Sequence, residues 1–232
     1  MLERMLAYER EAFFLLNGSD FPFLDRFMWL YTGKVVWLPL LVLIVIILVY
    51  KKNWREYVLL LLAIALVITL CDQFASHFCK PFFSRFRPTH HPAFMDQVKT
   101  VFGYRGGRYG FVSSHAANAF GFAMFMSLLF RYRIFTGVIF FWAILTSYSR
   151  IYLGVHFISD IIFGAIPGLL FGYGVYVLYA WARKRLAGRG VGGDSSPAAL
   201  YSRKQKQLII SGILITILIL LIFNAPLTAI IH

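Results

Sequence analysis

Six apolar runs separated by charged turns and polar loops dominate this chain, and each reads as a membrane span. The first runs from about Trp29 to Tyr50, with no charge between Val35 and Tyr50. A spanning helix takes roughly 20 residues, which puts Lys34 near one interface, and Lys51, Lys52 and Arg55 mark the other. The second is Tyr57–Phe78, turning polar at its far end through Asp72, Gln73, Ser76 and His77. A third starts near His115 and stops at Arg131-Tyr132-Arg133. The fourth covers Ile134–Tyr148, the fifth Phe157–Trp181 and the sixth Leu208–Phe223. Ahead of them, residues 1–26 alternate Glu3, Arg4, Glu9, Arg10 and Glu11 with Leu6, Phe13, Phe14, Leu15 and Leu16. This pattern predicts an amphipathic helix lying on the membrane surface, then a turn at Asn17-Gly18-Ser19-Asp20. The expected fold is all-α: a polytopic membrane bundle of about six transmembrane helices with an interfacial N-terminal helix.

Composition agrees with this picture. The chain is 59% hydrophobic and 14% charged, with a mean hydropathy of +0.70, whereas soluble domains are nearer 25% charged. The runs follow one another too closely for separate cores, so residues 1–232 read as a single membrane-embedded domain with a catalytic core at 57–181 and an extra C-terminal span at 208–223. The start, Met1-Leu2-Glu3-Arg4-Met5, is charged and precedes no cleavage-site pattern, so no secretory signal is expected. The net charge of +13 would suggest nucleic acid in a soluble protein. Here anchoring charges and an anionic substrate explain it better, and no nucleic-acid partner is expected. Cys71 and Cys79 would be about 12 Å apart on one helix, too far for a disulfide.

Lys/Arg totals on the two sides of such a bundle are nearly equal. The short turns 51–56 and 131–133 are the cleaner witnesses, and both assign their side to the cytoplasm. The long polar loop 79–112 then faces outward, as expected for a protein of the inner membrane with its site on the periplasmic or extracellular side. The Gly188–Pro197 tract, flanked by Arg183, Lys184, Arg185, Arg189, Arg203, Lys204 and Lys206, reads as an opposite-side loop.

Three polar segments converge on the outer side: Lys80 to Arg87-Pro88, Val112-Ser113-Ser114-His115, and Ser149-Arg150 through His156 to Asp160. His156 and Asp160, four apart on a helix, share a face. A carboxylate there either caps the helix or orients the imidazole as a nucleophile or base. The joint set suits phosphoryl transfer without a metal or cofactor. Lys80, Arg87 and Arg150 can hold phosphate oxygens. His156, oriented by Asp160, can attack phosphorus, while His115 protonates the leaving oxygen and then activates water. Amides near Ser113 and Ser114 open a helix, where an anion is favoured.

These segments resemble the type 2 phosphatidic acid phosphatase family, with its K-x6-R-P, P-S-G-H and S-R-x5-H-x3-D patterns. The first and third match fully. In the second, Val112 replaces proline and Ser114 replaces glycine, while Ser113 and His115 remain. The resemblance implies a six-helix-type membrane core and no metal requirement. It further implies His156 as nucleophile, Asp160 as its partner and His115 as general acid, with Lys80, Arg87, Ser113 and Arg150 as phosphate ligands. Soluble relatives of that family, acid phosphatases and haloperoxidases, are excluded by the apolar runs. The expected activity is removal of a terminal phosphate from a lipid. Undecaprenyl diphosphate and lipid A lead, with phosphatidylglycerol phosphate and phosphatidic acid as further candidates. An anionic-lipid transporter and an idle lipid-binding protein are the readings from other classes.

Other polar residues have two readings each. His90-His91 offers a metal pair without a third ligand. His77 either lines the site or marks the interface. Asp72, two turns before Lys80, either buttresses that lysine or reaches water. Arg105 and Arg108 form either an outer cationic ring or solvated loop charges.

Overall fold

The computed structural model describes residues 2–19, 21–186 and 196–231. Most of the Gly188–Pro197 tract, Arg189, Asp20 and the side chains of Glu3, Arg4 and Leu6 lie outside that description. Among the described residues there are helices and turns but no strand; one isolated bridge joins Phe86 to Tyr109. In chain order the helices are α1 (Leu2–Leu16), α2 (Pro22–Thr32), α3 (Leu38–Val49), α4 (Trp54–Phe83), α5 (Ser114–Phe130), α6 (Arg133–Tyr152), α7 (Ile158–Arg185), α8 (Arg203–Ile222) and α9 (Asn224–Ile231).

Four of them, α4, α6, α7 and α8, are long and apolar enough to cross a membrane. Three departures from the expected six straight spans have local causes. The first run is broken: Pro22–Thr32 and Val35–Val49 meet at 68°, around Gly33-Lys34, and count as a fifth span only if taken together. Gly33 is extended (φ −68°, ψ 142°), which stops one helix before Pro39 helps to start the next. The third run, α5, has 17 residues and is about 25 Å long, short of the ~30 Å hydrocarbon core. The second run continues past Phe78 to Phe83, taking Lys80 into the helix. Over Gln73–Cys79 it widens into a π-helix. Pro81 stands two residues beyond it, without an N–H and with a ring that crowds the carbonyl of His77 inside it, which favours such a widening.

Because it is short and small-sided, α5 can sit at the centre. Ala116, Ala117, Ala119, Gly121 and Ala123 are buried there, and α4, α6 and α7 surround it. Along α7, Gly164, Gly168 and Gly172 form the facing seam. A Cβ at Gly168 or Gly172 would lie 2.4 Å from the carbonyl oxygen of Ala117 or Gly121. Backbones this close give the dispersion contacts that bind helices in a bilayer. The outward faces of α3, α4, α7 and α8 expose Leu41, Ile46, Leu62, Leu170, Val177, Leu214 and Leu218, an apolar belt that suits lipid rather than water.

Helix α1 is present, but it does more than lie on a surface. Phe13 is fully buried against Phe157. Asn17 pins the helix end, donating to the Tyr152 and Lys99 carbonyls and accepting from Lys99 N–H.

Candidate active site

One end of the bundle gathers all three polar segments. The α6–α7 corner, Leu153–Phe157, turns at Gly154 (φ 74°), a left-handed conformation that glycine adopts without strain. A side chain at Gly154 would also press on the Lys99 carbonyl, 3.0 Å away. The corner delivers His156, which is 1% exposed.

Asp160 stands one helical turn on, with no exposure. Its Oδ2 accepts from Phe157 N–H at 3.0 Å and lies 3.3 Å from His156 Nδ1. The capping and orienting readings are thus both satisfied by one carboxylate: it caps the start of α7 and holds the imidazole. With Nδ1 carrying the proton toward Asp160, Nε2 keeps its lone pair, and Arg87 Nη1 donates to it at 3.1 Å. Arg87 also donates to the Val155 and Tyr109 carbonyls. Burial first, then Arg87, Arg150 and Lys80, hold the His156 pKa well below the ordinary imidazole value. Burial and these cations favour the neutral ring at neutral pH.

The second segment meets the third through backbone: Ser113 N–H donates to the Asp160 carbonyl at 3.0 Å. Ser113 Oγ caps α5 by accepting from Ala116 N–H, leaving its hydroxyl proton for another acceptor. Lys80 Nζ donates to Ser114 Oγ at 3.2 Å and to Ser76 Oγ at 3.1 Å, and Ser76 in turn donates to Asp72 Oδ1. Asp72 therefore supports Lys80 through Ser76 rather than by direct contact. Ser114, where the family pattern has glycine, ties Lys80 to the head of α5.

Arg150 belongs to the last turn of α6, not to a loop as the expected end at Tyr148 had it. It is 3% exposed and donates to Thr32 Oγ1 at 2.7 Å and to the Tyr104 hydroxyl at 3.3 Å. Its buried Nε has no hydrogen-bond partner within the described chain, a donor that a phosphate oxygen would satisfy. His115 is close enough to Arg150, His156, Arg87 and Lys34 to interact electrostatically.

Two cavities open beside His115. One, of about 390 Å³, is lined by Trp29, Lys34, Tyr104, His115 and Arg150. The other, of about 470 Å³, is lined by Lys34, Asp72, Ser114, His115, Asn118 and Trp142. A third, of about 420 Å³, shares Lys34, Trp37 and Trp142 with the second and continues among Leu41, Ile64, Ile68 and Ile213. The broken α2–α3 span thus forms one wall of a trough from polar site to apolar flank. His156 lines none of the three; Arg87 covers it.

Sequence reasoning overlooked Arg85, Glu9, Tyr104 and Thr32. Arg85 stands at an unspecified position of the first motif, yet it is buried and ion-paired with Asp160 at 2.8 Å and with Glu9. Its flanking Lys80 and Arg87 were the only hint. His77 is exposed on the outer face of α4. His91 stacks on Phe94, and His90 pairs with Thr89. No three His, Cys, Asp or Glu among the described residues could hold a metal. Arg105 and Arg108 are exposed; Arg108 lies over Phe86 and Tyr109.

The pattern described as the PAP2 superfamily matches residues 56–184, more than half the chain. The chain belongs to the PAP2 superfamily. Among its relatives, the lipid A 4'-phosphatase of Porphyromonas gingivalis is 45% identical over 87% of this chain and 84% of that protein. The lipid A 4'-phosphatase of Bacteroides thetaiotaomicron is 37% identical, covering 87% and 93%. The crystal structure of Aquifex aeolicus LpxE aligns with a TM-score of 0.54 at 29% identity, over 72% of this chain and 94% of that one. A PAP2-type phosphatidylglycerolphosphate phosphatase from Bacillus subtilis shares the fold, with a TM-score of 0.55 at 22% identity over 76% and 85%. This PAP2 protein is an integral membrane phosphatase acting on lipids.

Proposed function

We propose that the chain dephosphorylates lipid A or a closely similar phosphorylated glycolipid through a phosphohistidine on His156. One observation carries the mechanism: the buried His156 has Nδ1 3.3 Å from Asp160 and Nε2 3.1 Å from Arg87, so a proton held on the Asp160 side leaves the Nε2 lone pair for phosphorus. The resemblance to lipid A 4'-phosphatases supports that glycolipid as the first substrate to test, before undecaprenyl diphosphate, phosphatidylglycerol phosphate and phosphatidic acid.

The lipid enters with its chains along the apolar trough and its phosphate between His115, Arg150 and Lys80. Phosphate oxygens draw the Arg87 guanidinium off Nε2, which uncovers the nucleophile. Nε2 attacks phosphorus, and the bond from phosphorus to the lipid oxygen breaks. His115, which takes up a proton as the phosphate dianion settles beside it, gives that oxygen the proton. Asp160 meanwhile stabilises the positive ring of the phosphohistidine. Lys80, Arg87 and Arg150 stabilise the equatorial oxygens, joined by the amides of Ser114 and His115 in the first turn of α5, which have no intrahelical acceptor. In the second half His115 takes a proton from water. The water oxygen attacks phosphorus, the P–N bond breaks, and inorganic phosphate leaves. No step requires a metal. The site faces the outer side of the cytoplasmic membrane, with 51–56 and 131–133 inside.

The test is a phosphate-release panel in detergent micelles containing EDTA, with lipid A, isoprenoid diphosphates and phosphatidylglycerol phosphate as substrates. Lipid A should give the highest kcat/KM, and His156→Ala and His115→Ala should each abolish release from protein that still binds lipid. Inhibition by EDTA that added metal reverses would overturn the metal-free chemistry. Release surviving His156→Ala would overturn the phosphohistidine. Lipid binding without turnover by wild type would favour a transporter or an idle binding protein.

A further inference from the structure

Arg85, at a position that no family motif names, is enclosed by Asp160, Ser159, Glu9 and two aromatic rings. Its side chain is 3% exposed, between the rings of Phe157 (4.4 Å from the centroid) and Phe111 (6.0 Å). Nη1 donates to Asp160 Oδ1 at 2.8 Å and to Ser159 Oγ at 2.6 Å, and Nη2 donates to Glu9 Oε1. Glu9 reaches in from α1. Its Oε2 accepts Ser159 N–H at 2.8 Å, capping the first turn of α7 from a distant helix, and its Oε1 accepts from Ser159 Oγ at 2.8 Å.

The chain of contacts His156–Asp160–Arg85–Glu9 alternates imidazole, anion, cation and anion. A carboxylate with no solvent access stays ionised only beside a cation. Arg85 supplies that cation on the Asp160 oxygen that His156 does not use. A buried guanidinium in turn needs a second anion, and Glu9 supplies it. The guanidinium fork serves two carboxylates at once, which a single ammonium does not.

Resting on the His156 reading above, we propose that Arg85 is a positioning residue for the His156–Asp160 pair and that α1 completes the active site by delivering Glu9. Helix α1 lies outside the family match at residues 56–184, so the catalytic unit extends beyond the segment that carries the family's motifs. The groups facing Asp160 are His156 and Arg87 from the corner and loop, Arg85 from the first motif, Glu9 from α1 beyond Arg85, and the Ser113 N–H at its backbone carbonyl.

The experiment uses the full chain in micelles and measures phosphate release against pH for wild type, Glu9→Gln, Arg85→Lys, Arg85→Gln and Glu9→Gln/Arg85→Gln, with His156→Gln as control. Without its cation, Asp160 takes up a proton more readily, so in Arg85→Gln the acidic limb of kcat/KM should move up by about one pH unit. kcat should fall roughly 10²-fold while KM changes less than about threefold, because the residue touches no substrate. Arg85→Lys should recover about tenfold of that loss, and Glu9→Gln should lower kcat about tenfold. The double variant should be no worse than Arg85→Gln, as for members of one network.

An unmoved acidic limb in Arg85→Gln, or wild-type kcat in Glu9→Gln, overturns the proposal. Should Arg85→Gln not fold, Arg85→Lys and Glu9→Gln decide it by the same kcat and KM criteria. An active His156→Gln instead defeats the nucleophile assignment, separating the two failures.

Discussion

One added methyl group at Gly168 should pull apart the two helices that hold His115 and Asp160. A Cβ at that position would lie 2.4 Å from the Ala117 carbonyl oxygen and 3.0 Å from its Cα, where ordinary contact begins near 3.4 Å. Both obstacles are backbone, which does not rotate away as a side chain would. Relief therefore takes about 1 Å of separation between α5 and α7, taking the 2.4 Å contact out to 3.4 Å. The same seam runs up to the site: Ser113 N–H binds the Asp160 carbonyl at 3.0 Å, and Gly164 faces the Ser113 carbonyl. Overpacking of this kind costs roughly 1–3 kcal/mol, against a helix-propensity gain of about 0.5–1 kcal/mol for Gly→Ala. A net loss near 1–2 kcal/mol follows. A misplacement of about 1 Å in the reacting groups costs on the order of 10² in rate, or about 2.7 kcal/mol of transition-state stabilisation. The control is Gly174→Ala on the same helix, where nothing lies within 4 Å of the added Cβ. Its stability and activity should match or slightly exceed wild type. Phosphate release and thermal unfolding in micelles read both variants. Activity of Gly168→Ala within threefold of Gly174→Ala would refute the seam as the determinant of site geometry.

At the opposite end of the bundle, Glu56 accepts from Arg183 Nε at 2.7 Å and from the Tyr179 hydroxyl at 3.1 Å, all buried. Glu56→Gln should cost about 3 kcal/mol of stability while leaving kcat per folded molecule unchanged; thermal unfolding paired with kinetics tests this. For His156 the native pKa is depressed, so as pH falls below about 6.5 the unfolded chain gains a proton that the native site refuses. Native stability should drop by up to about 1.4 kcal/mol per pH unit from this group. His156→Gln should remove that component of the slope, and an identical slope in the variant would be the contrary result. Lys34→Ala should raise KM for a phosphorylated lipid by roughly three- to tenfold with kcat little changed. An equal loss with a small soluble phosphate ester would assign Lys34 to the chemistry instead of lipid binding.

Helix positions were largely legible because apolar runs and charged turns are local signals. Their ends and breaks were not. Arg150 lies inside α6 and Lys80 inside α4 because helix propensity and packing extend those helices past their apolar cores. The break at Gly33-Lys34 is hidden in sequence because both of its halves are apolar. It matters for the site, since it makes the wall of the trough beside His115. His115, His156 and Asp160 could be picked out because their spacings are fixed within short segments. The pairing of Lys80 with Ser114, and its support from Asp72 through Ser76, needed the widened turn of α4 and its contact with the head of α5.

The sequence by itself determined a multi-helix membrane protein and a phosphoryl-transfer constellation, since bilayer solvation and motif spacing each act over a few consecutive residues. Tertiary structure alone decided that Arg87 covers His156, that glycines set the distance between α5 and α7, and that Glu9 reaches Asp160 through Arg85. Those relations join residues some 50 to 150 positions apart. They depend on how closely backbones approach and on which charges share one buried volume, and neither quantity is written in any local stretch of the chain.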